Sequence, residues 1–207
     1  MSGSAPMVFI VDDDEAVRAS LRLLLKSVGI AAQACGSAQE FLAGYDASRP
    51  GCLILDIRMP GMSGIELQQH LNMRGAILPL LFITGHGDVP MAVEAMKNGA
   101  FDFLQKPFRD QELIDRVQRA LAKDAENRVG LSQHCKLRTR LESLTTRERE
   151  VLDLMVQGKP NKIMAADLGI SQRTVEIHRA RVMEKLAVSS LAQAVRMMME
   201  LDSAAAA

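Results

Sequence analysis

The feature that most constrains the fold is a short apolar run, Leu53–Leu55, that leads directly into Asp56 and is stopped by Pro60 and Gly61. An apolar run of this length, bounded by turn residues, predicts a strand buried on both faces, as in a parallel sheet. The Asp56 carboxylate would then lie at the carboxyl end of the strand, where open α/β sheets place their ligand sites. One such carboxylate could be a nucleophile, a metal ligand or an incidental strand end, so its meaning depends on its neighbours.

Apolar runs and helical patterns alternate throughout residues 1–122. Each of five apolar runs is followed by apolar residues at helical spacing, and glycines close several of these helices. This rhythm predicts an α/β fold, a five-stranded parallel doubly wound sheet with helices on both faces. The predicted strands are the runs at 7–11, 30–34, 52–56, 80–83 and 102–104.

Polar residues follow these strands where their carboxyl ends would meet. The first strand ends in Asp12 and Asp13, the third in Asp56, the fourth in Thr84, and the fifth leads to Lys106. In a sheet of order 2-1-3-4-5, strands 1 and 3 are neighbours at the switch point, which would bring three carboxylates together. Such crowding favours a bound cation, and hard oxygen ligands at an open site suit Mg²⁺, which shares phosphate oxygens readily.

Each of these residues also has a structural explanation when it is considered alone. Thr84 could simply end a strand, and Lys106 could simply be exposed. Their joint placement at successive strand ends favours a phosphoryl-binding site.

Composition excludes several classes of protein. The net charge is zero, so the chain as a whole is not a polycation for nucleic acid. Three widely spaced cysteines without a CxxC pattern argue for a reducing compartment and against a disulfide framework or a zinc site. No apolar run approaches membrane-spanning length, so we expect a soluble, cytoplasmic protein with no membrane partner.

The rest of the chain predicts two further segments. Residues 123–142 are polar with a broken apolar stripe and predict a helical linker, for which an exposed tether is favoured over a dimeric coiled coil. Residues 143–207 predict an all-α module of four helices that contains a helix-turn-helix. Its second helix begins after Ser171 and carries many charges against Val175, Ile177 and Val182, which we expect to be buried.

Local charge suggests a nucleic-acid interface in this module. Residues 159–185 hold six basic and three acidic side chains. Arginine and lysine can neutralise phosphates, while Glu176 and Arg179 have the chemistry to address cytosine or guanine edges. A solvated helix face has the same composition, so charge alone leaves both interpretations open.

The front part of the chain resembles a response-regulator receiver domain over residues 7–122. The resemblance is carried by four motifs: Val11–Asp13, Asp56–Gly61, Thr84-Gly85-His86 and Lys106–Phe108. It implies that a sensor histidine kinase donates a phosphoryl group from a phosphohistidine to Asp56.

The same resemblance implies roles for the other residues of the site. Asp13, Asp56 and the Arg58 carbonyl would bind Mg²⁺, with Asp12 acting through water. Lys106 would hold a phosphoryl oxygen, Thr84 would move to meet another, and Phe103 would be the aromatic switch residue. The Lys106–Pro107 peptide bond would be cis, which proline makes admissible.

The rear part of the chain resembles the LuxR-type DNA-binding domain over residues 143–200. The motifs at 144–152, 158–165 and 168–178 carry this resemblance, and the whole chain resembles the NarL/FixJ subfamily, in particular FixJ-like regulators. Glu176 departs from the pattern, because many members have lysine there. The predicted DNA-contacting residues are Arg173, Thr174, Glu176, His178, Arg179 and Lys185.

We therefore expect a phosphorylation-activated transcriptional regulator that forms a homodimer when phosphorylated and binds promoter DNA. The FixJ-like resemblance also implies RNA polymerase as a partner. Two other classes remain as alternatives. One is a phospho-dependent protein-interaction switch without DNA binding, and the other is a Mg²⁺-dependent aspartyl-phosphate phosphohydrolase. The second is disfavoured because Arg58 stands where such enzymes of the haloacid-dehalogenase type need a second aspartate.

Overall fold

The structure is a computed structural model that describes residues 5–85 and 89–205. His86 of the third receiver motif therefore lies outside the described residues. The chain divides into two compact units, 1–128 and 129–207, which are considered separately below. Within the described ranges, we find no helix that combines the length and the apolar character required to cross a membrane.

The first unit is built from alternating strands and helices, and its last helix, α5, continues into the second unit. Its elements are β1 (Met7–Val11), α1 (Glu15–Ser27), β2 (Ala32–Cys35), α2 (Ala38–Gly44), β3 (Gly51–Asp56), α3 (Gly64–Met73), β4 (Leu80–Thr84), α4 (Val89–Lys97), β5 (Asp102–Gln105) and α5 (Asp110–Glu142).

The strands form one parallel sheet of order β2-β1-β3-β4-β5, so the predicted doubly wound fold is confirmed. Strand β3 lies between β1 and β4, with Val11 paired to Leu55 and Asp56 paired to Ile83. Two buried apolar clusters lie on the two faces of the sheet, one beneath α2, α3 and α4 and the other beneath α1 and α5. The ends of β1, β3 and β4 therefore meet at one edge.

The first part of the predicted linker is tied to the first unit rather than exposed. Asp124 of α5 is 1% exposed, and its Oδ2 accepts hydrogen bonds from the Gly51 amide at 2.9 Å and from Arg128 Nε at 2.8 Å. The Arg128 guanidinium also donates to the carbonyl oxygens of residues 47, 48 and 49. Asp124 and Arg128 are thus not part of an exposed tether, because this pair satisfies backbone groups just before β3, whereas residues 125 and 126 are exposed. The exact limits of the domains stay a prediction.

The second unit contains the end of α5 and four further helices. These are α6 (Thr146–Val156), α7 (Asn161–Leu168), α8 (Gln172–Leu186) and α9 (Leu191–Ala205). Helices α7 and α8 form the helix-turn-helix, and Gly169 ends α7 in the left-handed conformation with φ of 64°. The buried side chains of Val151, Leu152, Val175, Val182 and Leu186 lie at the centre of the core of this unit.

Local side-chain caps position several helices. Ser37, Ser63 and Ser171 accept backbone hydrogen bonds at the starts of α2, α3 and α8. Thr145 forms the capping box of α6 with Glu148. Helix α7 has no side-chain cap, because Pro160 occupies the N-cap position and Asn161 is the first helical residue.

Candidate functional site

The Asp56 side chain is held at the carboxyl end of β3 by a lysine and a backbone amide. Its carboxylate is 14% exposed. Lys106 Nζ lies 3.2 Å from Asp56 Oδ1 and 3.1 Å from Asp12 Oδ2, so one ammonium bridges two carboxylates. The Arg58 amide donates to Asp56 Oδ2 at 2.8 Å. The Lys106–Pro107 peptide bond is cis, as the sequence resemblance implied.

Gly64 is needed for this geometry, although sequence reasoning did not select it. A Cβ at Gly64 would lie 2.2 Å from the Asp56 carbonyl oxygen, and the Gly64 amide donates to the Ile57 carbonyl at 2.9 Å. The first turn of α3 therefore packs directly against the backbone of the phosphoacceptor candidate. The only signal for Gly64 in the sequence was its position shortly after Pro60-Gly61 and directly after Ser63.

The loop after β1 carries the other carboxylates. Asp12 is 3% exposed, and its Oδ1 accepts from the Asp14 amide at 2.9 Å. Asp14 caps α1 by accepting from the amides of Ala16 and Val17. Asp13 is exposed, and its side chain has no hydrogen-bond or ion-pair partner among residues 5–85 and 89–205. The loop thus presents Asp13 as an uncommitted carboxylate beside the bridged pair.

The charges at this edge act on one another. Burial raises the pKa of Asp56 above its ordinary value, and the neighbouring Asp12 charge adds to that rise, while Lys106 and the Arg58 amide oppose it. Burial works against the charged form of Lys106 as well. Its hydrogen bonds and ion pairs with Asp12 and Asp56 together outweigh burial and raise its pKa. Burial of the Asp56 carboxylate therefore outweighs the stabilisation that the charged lysine and the Arg58 amide give to its ionised form.

Two further predicted residues lie on β4 and β5. Thr84 is 1% exposed, and its hydroxyl donates to the Gly85 carbonyl at 3.3 Å, a long hydrogen bond. Phe103 of β5 pairs in register with Phe82 and is half-buried against the cluster beneath α2, α3 and α4. Neither residue contacts Asp56 through a hydrogen bond in the described structure.

The donor set of this edge consists of oxygen atoms, which suits Mg²⁺. The carboxylates of Asp12, Asp13 and Asp56 and the Arg58 carbonyl are the available groups. No three histidine, cysteine, aspartate or glutamate side chains in the described ranges are grouped closely enough to hold a metal ion by themselves. A cation here would therefore need the backbone carbonyl and water as well, which is the coordination that Mg²⁺ accepts.

Helix α8 presents one exposed face in the second unit. Arg173, Glu176, Ile177 and Ala180 are exposed and recur at the spacing of a single helix face. Ile177 is 48% exposed, so the expectation that it is buried is wrong. The helix buries Val175, Val182 and Leu186 instead, and residue 177 lies on the opposite side.

The remaining predicted DNA-contacting residues lie on the flanks of α8. The Thr174 hydroxyl is 2.8 Å from Ser171 Oγ, and the side chains of Thr174, His178 and Arg179 are half-buried. His178 Nδ1 is buried without a hydrogen-bond partner in the part of the chain that the structure describes. These residues reach the surface less directly than Arg173 and Glu176.

Lys185 differs most from its expected role, because its ammonium is already engaged. Lys185 Nζ lies 2.6 Å from Glu148 Oε2 and 3.0 Å from the Ser143 carbonyl oxygen. Glu148 is 3% exposed and also accepts from the Thr145 amide at 2.9 Å. The hydrogen bond from Lys185 and that from the Thr145 amide lower the pKa of Glu148 to about 2. This network joins α8 to the start of α6.

Comparison with protein families matches both units. The response regulator receiver domain matches residues 8–118, and the luxR family of bacterial regulatory proteins matches residues 142–198. Receiver domains generally bind Mg²⁺ at the phosphorylation site, and the two matches imply a histidine kinase and promoter DNA as partners.

Individual relatives span nearly the whole chain. The transcriptional regulatory protein FixJ of Azorhizobium caulinodans is 50% identical over 191 residues, which covers 92% of this chain and 90% of the relative. Response regulator protein TodT of Pseudomonas putida strain F1 is 43% identical over 196 residues, which covers 95% of this chain and 86% of the relative. A low-resolution structure of response regulator StyR has 46% identity and a TM-score of 0.85, and covers 95% of this chain and 100% of the other.

These matches confirm the expected class, since the family and its relatives are transcriptional response regulators rather than enzymes. The chain belongs to the response regulator family of two-component systems and is a phosphorylation-activated, DNA-binding transcriptional regulator of the FixJ and TodT type.

Proposed function

We propose that a phosphoryl group on Asp56 controls how helix α8 binds promoter DNA. The observation that carries the proposal is the position of the Asp56 carboxylate, held between the Lys106 ammonium and the Arg58 amide beside Asp12. Phosphoryl transfer depends mainly on positioning and charge neutralisation, which this arrangement supplies.

In the transfer step, an Asp56 carboxylate oxygen attacks the phosphorus atom of a phosphohistidine of the sensor kinase. A P–O bond forms, the P–N bond breaks, and its electron pair returns to the histidine nitrogen, so an acyl phosphate replaces the carboxylate. Lys106 lies close enough to Asp56 to hold a phosphoryl oxygen. Bound Mg²⁺ would neutralise charge on the phosphoryl oxygens, and Asp13, Asp56 and the Arg58 carbonyl would hold it, with Asp12 acting through water.

The acyl phosphate changes the charge at an edge that is already crowded. It carries roughly one to two negative charges and strong acceptor oxygens. The long hydrogen bond of the Thr84 hydroxyl is easily exchanged for one to a phosphoryl oxygen, and the half-buried Phe103 ring can fill the space that Thr84 leaves. We propose that this exchange reshapes the surface of α4, β5 and α5 and produces a homodimer.

On the DNA side, we propose that α8 enters the major groove. In a helix-turn-helix the second helix lies in that groove, with the residues near its start at the base edges. The exposed Arg173 and Glu176 suit guanine and cytosine, and the exposed Ile177 suits a thymine methyl group. Thr174, His178 and Arg179 would contact the backbone or flanking bases, and Lys185 would support α8 through Glu148.

We also propose that the regulator acts in the cytoplasm and that its dimer engages RNA polymerase at the promoter. Cys35, Cys52 and Cys135 are free thiols in the structure, which is consistent with a reducing compartment. Two copies of α8 would contact two half-sites about one helical turn apart.

The decisive experiment is footprinting of genomic DNA fragments with the full-length protein, with and without beryllium fluoride as a phosphoryl mimic. We expect protected sites that appear or strengthen with the mimic and that Asp56→Asn abolishes. Asp46→Asn, which changes an exposed carboxylate in the loop between α2 and β3, is the matched control and should respond as the wild type does.

Two results would contradict the proposal. If mass spectrometry still finds an acyl-phosphate adduct on Asp56→Asn, the acceptor is another residue. If the mimic loads Asp56 but no promoter fragment is protected at any salt concentration, the chain is a protein-interaction switch without DNA binding.

A further inference from the structure

Arg18, an arginine in the first turns of α1, reaches back to the loop that carries the acidic residues. Its NH1 group donates to the Asp12 carbonyl oxygen at 2.7 Å, and its side chain is half-buried. The carbonyl of Asp12 belongs to the peptide that joins Asp12 to Asp13. Its direction therefore sets the plane of that peptide and, with it, the direction in which the Asp13 side chain leaves the backbone.

The two carboxylates of this loop are positioned in different ways. Asp12 is fixed through its side chain, with the Asp14 amide on one oxygen and Lys106 on the other. The Asp13 carboxylate has no such partner among the described residues, so its position depends on the backbone alone. Arg18 is the side chain that fixes the backbone at this point.

The loop after β2 holds the guanidinium of Arg18 in position. A Cβ at Gly36 would lie 3.6 Å from Arg18 Cζ and NH1 and 3.6 Å from Glu40 Oε2. Glu40 Oε2 accepts from the Gly36 amide at 2.6 Å. The planar group thus packs over Gly36 while it directs one N–H at Asp12. A lysine could restore the charge and one hydrogen bond but not this flat contact.

We propose that Arg18 is a positioning residue for the divalent cation. It orients the Asp12–Asp13 peptide so that the Asp13 carboxylate can bind Mg²⁺, without itself touching the ion. This inference rests on the proposed function, because it presumes that Asp13 and Asp56 hold the ion. Groups that orient metal ligands commonly change metal affinity by about 10- to 100-fold when they are removed.

Simple electrostatics predicts the opposite sign, which makes the inference testable. Arg18 carries a positive charge near the site, so removing that charge should tighten Mg²⁺ binding if charge alone matters. If orientation matters more, the same substitution should weaken binding. Arg22 lies one turn further along α1 and is exposed, so Arg22→Met removes a similar charge without removing the hydrogen bond to Asp12.

The test measures the dissociation constant of Mg²⁺ for the full-length protein by isothermal titration calorimetry with magnesium chloride alone. We expect Arg18→Met to raise the constant about 10-fold, Arg18→Lys to raise it less, and Arg22→Met to leave it unchanged or lower it slightly. With acetyl phosphate as donor, the rate of Asp56 phosphorylation in Arg18→Met should return to the wild-type value at saturating Mg²⁺.

The outcomes separate the inference from the function on which it rests. If the wild type binds Mg²⁺ and Arg18→Met binds it equally or more tightly, Arg18 is not a positioning residue. If the wild type and Asp13→Asn give the same titration, the proposed cation site is wrong, and the role of Arg18 with it. Circular dichroism without Mg²⁺ checks folding, and if Arg18→Met is unfolded, the difference between Arg18→Lys and the wild type decides.

Discussion

Asp56 and Glu148 are carboxylates with little exposure to solvent that each face a lysine, and their pKa values move in opposite directions. Asp56 in the first unit lies 3.2 Å from Lys106, yet burial and the charge of Asp12 raise its pKa. Glu148 in the second unit lies 2.6 Å from Lys185, and hydrogen bonds lower its pKa to about 2.

The difference lies first in burial, which has the largest effect on the pKa of Asp56, and then in how the hydrogen-bond donors are shared. Lys106 is divided between Asp56 and Asp12, whereas Glu148 has the ammonium of Lys185 and the amide and hydroxyl of Thr145. The carboxylate of Glu148 is therefore stabilised in its charged form, as befits a structural link between helices. At the receiver edge, burial instead disfavours the charged form of Asp56, and a cation or a phosphoryl group can change that balance. Such local conflicts are expected where a protein has to switch.

The comparison is tested most strongly by removing Glu148. We expect Glu148→Ala to lower the free energy of unfolding of the second unit by about 2 kcal/mol, since it leaves Lys185 and the Thr145 amide without their acceptor while Lys185 retains some contact with water. Hydrogen exchange of peptides from 143–198 in urea, read by mass spectrometry, measures this loss. Glu150→Ala removes an exposed carboxylate of the same helix and should change stability by about 0.5 kcal/mol or less. Equal losses of unfolding free energy in both variants would show that the Glu148 network stabilises the second unit no more than an ordinary surface ion pair does.

The opposite effect is expected at the receiver edge. Asp56→Asn removes the charge that burial and Asp12 disfavour, so the first unit should become more stable by about 1 kcal/mol while phosphorylation is lost. Urea unfolding in the absence of Mg²⁺, monitored by exchange of peptides from 7–118, measures the change. A less stable first unit would mean that the ion pair with Lys106 outweighs burial, contrary to the direction of the pKa.

The two carboxylates should also give opposite pH dependences. The folded pKa of Glu148 is lowered from 4.5, so its contribution to stability is complete above about pH 4.5 and is lost as the pH falls towards 2. The folded pKa of Asp56 is raised above 3.8, so the folded state favours the protonated carboxyl group. The stability that this protonated group contributes is complete below about pH 3.8 and is lost as the pH rises through the folded pKa.

Urea unfolding at a series of pH values separates these effects. The stability advantage of Asp56→Asn over the wild type should be largest near neutral pH and should vanish below about pH 3.8. The disadvantage of Glu148→Gln should instead be complete above about pH 4.5, shrink as the pH falls below that value and be lost near pH 2. Parallel profiles for the two variants would contradict the comparison.

The sequence was sufficient for the fold because its signals are local and repeated. Each strand or helix is indicated by residues within or next to it: apolar runs indicate strands, and glycines and serine caps mark where helices end and begin, as at Ser37, Ser63 and Ser171. Asp56 and Lys106 were identified because parallel strands bring their carboxyl ends to one edge, whatever the details of packing.

What the sequence could not supply depends on contacts between distant residues. Ile177 was expected in the core because it is apolar, but the position of α8 places that face outwards. Lys185 was expected at DNA because it is basic, but it forms an ion pair with Glu148, which lies 37 residues away in the chain. The burial of Asp124 likewise depends on the Gly51 amide, 73 residues away. No local pattern marks such partners.

Lys185 therefore gives the last test of the comparison. Its positive charge alone predicts a contribution to the salt dependence of DNA binding, whereas its ion pair with Glu148 predicts none. A lysine or arginine that neutralises a phosphate contributes roughly one unit to the slope of log affinity against log salt concentration. Lys185 is already neutralised by Glu148, so Lys185→Met should leave that slope unchanged even if it lowers affinity by loosening α8. Arg179 is the control, because it is the basic residue of α8 that we propose to contact the backbone, and Arg179→Met should reduce the slope by about one unit.

The measurement is a series of gel shifts or fluorescence-anisotropy titrations on a footprinted promoter fragment between low and moderate salt. The double variant Glu148→Gln with Lys185→Met removes both charges, so it should also retain the wild-type slope while the stability of the second unit falls. A slope that drops by a full unit in Lys185→Met would place its ammonium at the DNA backbone. In that case the ion pair with Glu148 would break on binding, and the second unit, like the first, would contain a carboxylate whose partner is exchanged in function.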